Sequence, residues 1–246
     1  MPDIQRVWVF NPNCSTSTTE RLQSTLSPLA PLGTELSFFT ARFGAPYIAC
    51  EASHAVAGHA LLDAWTHQLK TTQTTPDRVL IGCFGDPGLF ALRESSACPV
   101  TGLAEASFIH AAQKGPFAIV TGGERWKPML YRLAHGLGFD RHLLHIETVQ
   151  ATGAELQSNP SAALDLLAQA CQRAALPGVQ SIILGGAGLA GYAAKIQNRC
   201  RLPLIDSVEA GLSVLLQNTW QKPERLKNGF ETKWVEMPEM DLNLTK

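Results

Sequence analysis

The residue best suited to chemistry in this chain is a cysteine that lies among glycines. Cys83 follows the apolar run 79–81, with Gly82 before it and Gly85 two positions after it. A cysteine between the end of a strand and the start of a helix can have a lowered pKa and form a reactive thiolate. The glycines on both sides favour exposure of the sulfur to a ligand, whereas the alternative interpretation is a small buried cysteine.

Four loops that are polar or rich in glycine follow predicted strands and could surround this sulfur. They are Asn11-Pro12-Asn13, residues 82–88, Thr121-Gly122-Gly123 and residues 185–188. In open α/β sheets, ligands bind at the carboxyl ends of the strands. We therefore predict a site for a small molecule with a carboxylate or cyclic imide. In it Cys83 is the candidate catalytic residue, with a buried structural cysteine as the alternative, and the substrate is contacted by Asn11, Asn13, Tyr47, Gly82, Phe84, Gly85, Thr121, Gly122, Gly123, Gly185, Gly186 and Ala187.

Helices are expected to begin directly after two of these loops. Residues 17–20, Ser-Thr-Thr-Glu, have the pattern of a capping box. Asp86-Pro87 has the pattern of a helix cap followed by a proline in the first turn. The Asp86 carboxylate would raise the pKa of the nearby thiol unless its charge is bound at the helix end. Phe43, Tyr47 and Phe84 are expected to make one wall of the site apolar.

The elements that must position these loops are short strands and amphipathic helices in alternation. Apolar runs typical of buried strands occupy residues 7–10, 79–81, 117–120 and 181–184. Residues 161–175 have helical spacing, with Asn159 and Pro160 at the start and Pro177-Gly178 beyond the end. This alternation predicts the α/β class, with parallel sheets flanked by helices.

The chain also repeats itself at intervals of about 103–110 residues. The matched segments are 7–13 with 117–123, 79–86 with 182–188 (setting Cys83 on Gly186), and 99–106 with 203–210. Three matches in the same order indicate two similar α/β domains, and we expect the active-site cleft between them. The first domain is expected to hold residues 1–97 plus 208–246, with a C-terminal helix and tail, and the second to hold residues 98–207.

Composition excludes several classes of protein. The 246 residues include 20 Lys and Arg against 21 Asp and Glu, and 45% of them are hydrophobic. This balance does not suit a nucleic-acid-binding protein, and no apolar run reaches the roughly 18 residues of a membrane span. The six cysteines form no metal-binding pattern and no glycine motif is a nucleotide fingerprint, so we expect neither metal nor cofactor. We expect a cytoplasmic protein, leave a homo-oligomer open, and interpret residues 220–246 as a surface tail.

Three segments together resemble a known family. Asn11-Pro12-Asn13, Cys83-Phe-Gly-Asp-Pro-Gly88 and residues 99–106 are similar to the hydantoin and allantoin racemases of the aspartate/glutamate racemase superfamily. The resemblance covers about residues 7–216 and implies two similar α/β domains around one active site. It also implies cofactor-independent racemisation: one cysteine, as thiolate, removes a proton next to a carbonyl, and a second, as thiol, delivers one to the opposite face.

One of those two cysteines is missing from this chain. The first falls on Cys83, but the second falls on Gly186, which has no side chain to donate or accept a proton. The sequence therefore predicts a racemase or isomerase of a small carbonyl-activated carbon acid, such as an amino acid or a hydantoin. Cys83 would be its base or nucleophile, with water, Glu124 or Cys14 in the second role. The alternatives are a one-cysteine isomerase or lyase acting on a small dicarboxylate, and an inactive small-molecule binding protein.

Overall fold

The computed structural model describes residues 4–72, 74–150 and 160–217. Its strands are β1 (Gln5–Asn11), β2 (Thr34–Thr40), β3 (Arg78–Ile81), β4 (Val100–Gly102), β5 (Phe117–Gly122), β6 (Leu143–Val149), β7 (Ser181–Gly185) and β8 (Leu204–Asp206). They form two four-stranded parallel sheets, in the orders β2-β1-β3-β4 and β6-β5-β7-β8. The predicted α/β class with parallel sheets is confirmed.

Helices alternate with these strands. They are α1 (Thr16–Leu26), α2 (Glu51–Thr71), α3 (Leu89–Ser95), α4 (Leu103–Ala112), α5 (Trp126–Gly136), α6 (Pro160–Ala174), α7 (Tyr192–Ile196) and α8 (Ser207–Gln217). The helix predicted over residues 161–175 is confirmed as α6. Its expected cap, Asn159, and the expected tail at residues 220–246 lie outside the described residues.

The strands that the sequence predicted from apolar runs are the ones that are buried in the structure. The central strands β1, β3, β5 and β7 are buried along most of their length, and each contains one of the predicted runs. Strands β2 and β6 lie at the outer edges of their sheets and hold half-exposed residues between polar ones. An edge strand has one neighbour and needs less apolar surface, so no comparable run marks it.

The two sheets have the same strand order, as the predicted duplication requires. Gly88 before α3 and Gly191 before α7 lie 103 positions apart, and both have a φ of 79°. The helices that follow the last strand of each half cross over: α4 packs against β7, and α8 packs against β3. Through this crossing, residues of both halves form one shared buried cluster, which includes Leu80, Phe108 and Leu212.

The expected division into two domains was based on this crossing of the chain between the sheets. The exact boundaries of the two domains stay a prediction. Strand β4 pairs with β3, with Leu80 opposite Thr101, so residues 100–102 belong to the first sheet. The chain passes to the second sheet only in α4. Strand β8 pairs with β7 in the same manner before the chain returns through α8.

The expected role of Asp86 as the cap of the next helix is wrong. Helix α3 begins at Leu89 with Gly88 as its N-cap, and the Asp86 side chain instead caps α4, 18 residues along the chain. Its carboxylate accepts hydrogen bonds from the N–H groups of Ala104 at 2.9 Å and Glu105 at 2.7 Å. The expected capping box at residues 17–20 is also wrong, because α1 has Ser15 at its N-cap and no side-chain capping hydrogen bond.

The carboxylate of Asp86 fits at the start of α4 because residue 102 has no side chain. A Cβ added to Gly102 would overlap the carboxyl group of Asp86. In the second half the matched position is Asp206, and its own carboxylate accepts a hydrogen bond from the N–H of Val208 at 2.9 Å in α8. The two halves therefore cap their crossing helices with carboxylates from different loops.

Replacing Gly102 with alanine should destabilise the protein. The new methyl group would displace Asp86 from the start of α4, and we expect a loss of about 1–3 kcal/mol in the free energy of unfolding. Urea unfolding followed by circular dichroism measures this change. Gly136→Ala is the control, since Gly136 ends α5 and an added Cβ there meets only Phe90 at 4.0 Å. An equal midpoint for both variants would contradict the assignment.

Candidate active site

A cavity of about 250 Å³ lies where the strand-end loops of the two sheets meet. It is lined from the first half by the loop after β1, helix α1, residues 46–48 and the loop after β3. The loops after β5 and β7 and the start of α5 line it from the second half. Of the predicted site residues, those that line it are Asn13, Tyr47, Gly82, Cys83, Phe84, Thr121, Gly122, Gly185, Gly186 and Ala187.

Asn11, Gly85 and Gly123 were predicted as substrate contacts but do not line this cavity. Asn11 is buried, and the carbonyl oxygen of Gly85 accepts a hydrogen bond from Nε2 of His54 at 2.9 Å. The N–H of Gly123 donates to the carbonyl of Val149 at 2.8 Å. All three are therefore part of the frame that holds the lining residues.

The buried amide of Asn11 fixes the orientation of Asn13. Nδ2 of Asn11 donates to Oδ1 of Asn13 at 2.9 Å, and Oδ1 of Asn11 accepts from the N–H of Asn13 at 3.1 Å. The N–H of Ser15 also donates to Oδ1 of Asn13, at 2.9 Å. With its oxygen bound twice, Asn13 has its NH₂ group left to donate to a ligand in the cavity.

Cys83 is 8% exposed and lies at the inner wall of the cavity. Burial raises the pKa of the Cys83 thiol, and the negative charge of Asp86 raises it further. The expected lowering of this pKa is wrong, because burial outweighs any effect of α3, which begins only at Leu89. In the free protein Cys83 is therefore a protonated thiol.

Asp86 is itself buried, at 3% exposure, beside this thiol. Burial raises the pKa of Asp86 to about 7, and the nearby Glu105 carboxyl acts in the same direction, while the N–H groups of Ala104 and Glu105 oppose the shift. The hydrogen bonds at the start of α4 thus favour the charged form of Asp86, which is the form that raises the pKa of Cys83.

In the second half, the loop after β7 contributes backbone rather than side chains. Gly186 has a φ of +140°, which favours glycine, although an added Cβ would meet only Leu189 Cγ at 3.7 Å. Its N–H donates to the hydroxyl of Ser207 at 3.1 Å, and the hydroxyl of Thr121 donates to the carbonyl of Gly185 at 2.7 Å. A cysteine at residue 186 would have room for its side chain but would strain the backbone.

Side chains from each half close the site against the other. The ring of Phe84 lies so close to Gly185 that a Cβ there would overlap it. His54 of α2 lies edge-on to Trp126 of α5, with ring centroids 6.3 Å apart. Glu51 at the start of α2 forms an ion pair with Arg132 of α5. These contacts join the loop after β3 to the end of β7, and α2 to α5, and so hold the two sides of the cavity together.

Comparisons with known proteins agree with this architecture. The family model described as Asp/Glu/Hydantoin racemase matches residues 7–215. A hydantoin racemase from Paenarthrobacter aurescens is 31% identical over 232 residues, which cover 89% of this chain and 97% of that protein. The chain belongs to the Asp/Glu/hydantoin racemase family.

Solved structures of this family have the same fold. Allantoin racemase from Klebsiella pneumoniae aligns with a TM-score of 0.79 and 30% identity, covering 86% of each chain. Allantoin racemase from Pseudomonas fluorescens aligns with a TM-score of 0.80 and 25% identity, covering 86% of this chain and 89% of that one. The predicted family and the predicted class of enzyme, a racemase-type isomerase, are confirmed.

Three residues that the sequence suggested for this site lie outside the cavity: the two candidates for the second acid–base group, and one residue of the expected apolar wall. The carboxylate of Glu124 accepts a hydrogen bond from the hydroxyl of Thr148. The thiol of Cys14 donates to the carbonyl of Gly44 at 3.2 Å. Phe43 packs on His59, with ring centroids 5.0 Å apart.

Sequence reasoning missed a polar face of α1 and several apolar residues of the wall. The missed lining residues are Ser15, Ser17, Thr18, Arg21, Pro46, Ile48, Trp126, Gly188 and Leu189, although residue 188 lies in a loop that was predicted to contribute. The spacing of residues 17, 18 and 21 places them on one face of a helix, which is the signal that could have found them.

No three His, Cys, Asp or Glu side chains within residues 4–72, 74–150 and 160–217 come together as a metal site. Over the same ranges, no helix has the length and apolar character needed to cross a membrane.

Replacing Asp86 with asparagine should make Cys83 easier to alkylate. The amide keeps an acceptor for α4 but removes the charge that raises the pKa of the thiol, so the rate with iodoacetamide at pH 8 should rise roughly 3- to 10-fold. Mass spectrometry of the peptide containing Cys83 measures that rate separately from the other cysteines. Asp206→Asn is the matched control, because it alters the cap of α8 instead. An unchanged rate in Asp86→Asn, or an equal rise in the control, would contradict the assignment.

Proposed function

We propose that this chain is a cofactor-independent isomerase of a small carbonyl-activated carbon acid and that Cys83 carries its proton transfer. The observation that carries the proposal is the placement of Cys83 at the inner wall of a small cavity between the two halves. Membership of the racemase family supports the class of reaction. The relatives named as hydantoin and allantoin racemases support a small substrate with an acidic C–H next to a carbonyl.

The proton transfer needs the thiolate form of Cys83, which in this proposal forms when the thiol gives its proton to water in the cavity. The thiolate takes the proton from the α-carbon: an S–H bond forms, the C–H bond breaks, and the electron pair moves to the carbonyl oxygen. A thiol with a raised pKa is ionised less often, but its thiolate is a stronger base toward a weak carbon acid. The same thiol can return a proton to the face from which it took one.

Asn13 is placed to stabilise the negative charge that forms on the carbonyl oxygen. Its NH₂ group is the part of the amide that is not bound by Asn11 or Ser15. Donors that are fixed before the reaction stabilise an enolate without reorganising during the step. In this proposal Asn13 thus fixes the carbonyl next to the carbon that faces Cys83.

Inversion at that carbon requires a proton from the opposite face. Gly186, which lines the cavity at the position matched to Cys83, has no side chain that could supply it. Glu124 and Cys14 are outside the cavity and are bound to Thr148 and Gly44. We therefore assign the second proton to water, or to Tyr47, which lines the cavity and whose hydroxyl donates to the carbonyl oxygen of Gly122 at 3.5 Å.

Replacing Cys83 with alanine should abolish most of the proton exchange at the substrate. The loss should be roughly 10²- to 10⁴-fold, the range typical of a positioned acid–base group. The assay follows deuterium incorporation at the α-carbon in D₂O together with loss of optical rotation, using each enantiomer of 5-methylhydantoin and of hydantoin-5-acetic acid. Cys14→Ala is the control, because that thiol lies outside the cavity.

Full exchange in Cys83→Ala would contradict this proposal. Exchange in the native protein without loss of optical rotation would show that protons are delivered from one face only. Exchange and racemisation at equal rates would show a second proton donor, and Tyr47→Phe then tests whether the phenol is that donor.

A further inference from the structure

One cation lines the cavity. Arg21 lies in the second turn of α1, on the same face as Ser17 and Thr18, and all three side chains contribute to the wall. The hydroxyl of Ser17 lies 2.8 Å from that of Ser15, another lining residue. This side of the cavity is therefore a group of hydrogen-bond donors with one positive charge.

No carboxylate among the described residues balances that charge. The lining residues include neither Asp nor Glu, and Arg21 forms no ion pair with any described residue. Five other arginines, in contrast, bind carboxylates of the protein: Arg42, Arg93, Arg132, Arg173 and Arg199. The charge of Arg21 is thus available to a ligand.

The other ionisable groups of the cavity leave it positive. Burial and the charge of Asp86 keep Cys83 as a neutral thiol, and Tyr47 is a phenol. A planar guanidinium binds a carboxylate through two parallel N–H···O bonds, and the attraction is stronger in a partly enclosed site than at the surface. A neutral cyclic imide offers no such partner.

We propose that Arg21 binds a carboxylate of the substrate and so determines its class: a carbon acid that carries a carboxylate in addition to the activating carbonyl. This assignment rests on the proposed function, since it names the substrate of the same site. In it Asn13 binds the carbonyl, Arg21 binds the carboxylate from α1, and the acidic carbon lies against Cys83. A neutral hydantoin would be bound by only part of this set.

Two probes that differ by one carboxylate test the assignment. Hydantoin-5-acetic acid and 5-methylhydantoin share the ring and the acidic carbon, and only the first is an anion at pH 7. Isothermal titration with the Cys83→Ala protein measures binding without turnover. We expect tighter binding of hydantoin-5-acetic acid, and Arg21→Gln should weaken it roughly 10- to 100-fold while 5-methylhydantoin changes less than about 2-fold.

Arg21→Lys and Arg141→Gln complete the design. The lysine keeps the charge without the planar fork and should recover part of the lost affinity. Arg141 is exposed and does not line the cavity, so Arg141→Gln should leave both affinities unchanged. Equal affinity for the two probes, a parallel loss of both in Arg21→Gln, or no binding of hydantoin-5-acetic acid would overturn the role of Arg21.

These results are separable from a failure of the proposed function. Binding to the Cys83→Ala protein depends on Arg21 and not on proton transfer. If hydantoin-5-acetic acid binds through Arg21 but the native protein exchanges no α-proton in D₂O, the carboxylate site stands and the proposed isomerase does not.

Discussion

The buried carboxylate of Asp86 connects the fold to the reactive sulfur. It binds the first N–H groups of α4, the helix that carries the chain from the first sheet to the second. It needs Gly102 to have no side chain, and its charge contributes to the raised pKa of Cys83. A helix start favours a carboxylate, and a buried thiol beside that carboxylate favours its proton. The carboxylate that helps to join the halves therefore adds to the effect of burial, which is the main reason that the pKa of Cys83 is raised.

The second half has an equivalent arrangement, but its carboxylate lies at a different position of the repeat. Asp206 holds the carboxylate at the position matched to Gly102, and Leu189 stands at the position matched to Asp86. Gly186 stands where Cys83 would be, in a backbone conformation with φ of +140°. The frame of two equal sheets is preserved, while the groups that can move protons are concentrated in the first half. The asymmetry of the cavity is therefore a property of the loops and not of the sheets.

Sequence patterns predicted the parts of this molecule that depend on local burial. The central strands and α6 are marked by their apolar periodicity, and the strand-end loops with Asn13 and Cys83 follow from the position of ligands in α/β sheets. Capping of α4 by Asp86 could not be predicted, because the partner lies 18 residues away and depends on how two loops pack. The raised pKa of Cys83 comes mainly from burial, which also depends on loop packing, whereas the smaller contribution of Asp86 was expected from the sequence. Trp126 was missed because its place in the cavity depends on how α5 packs against the other half.

The charges on the two sides of the cavity constrain the chemistry together. A substrate carboxylate next to Cys83 would by itself raise the pKa of the thiol further, since two negative charges would then lie close together in a partly enclosed space. In the proposed complex the positive charge of Arg21 would balance the charge of the substrate carboxylate, so the ligand would leave no net negative charge in the cavity beside the thiol. A cation in the same cavity, on an element fixed independently of Cys83, would therefore favour both recognition of an anionic substrate and formation of the thiolate. Helix α1 meets that condition, because Asn11 fixes the loop that precedes it through Asn13 and through the carbonyl of Ser15.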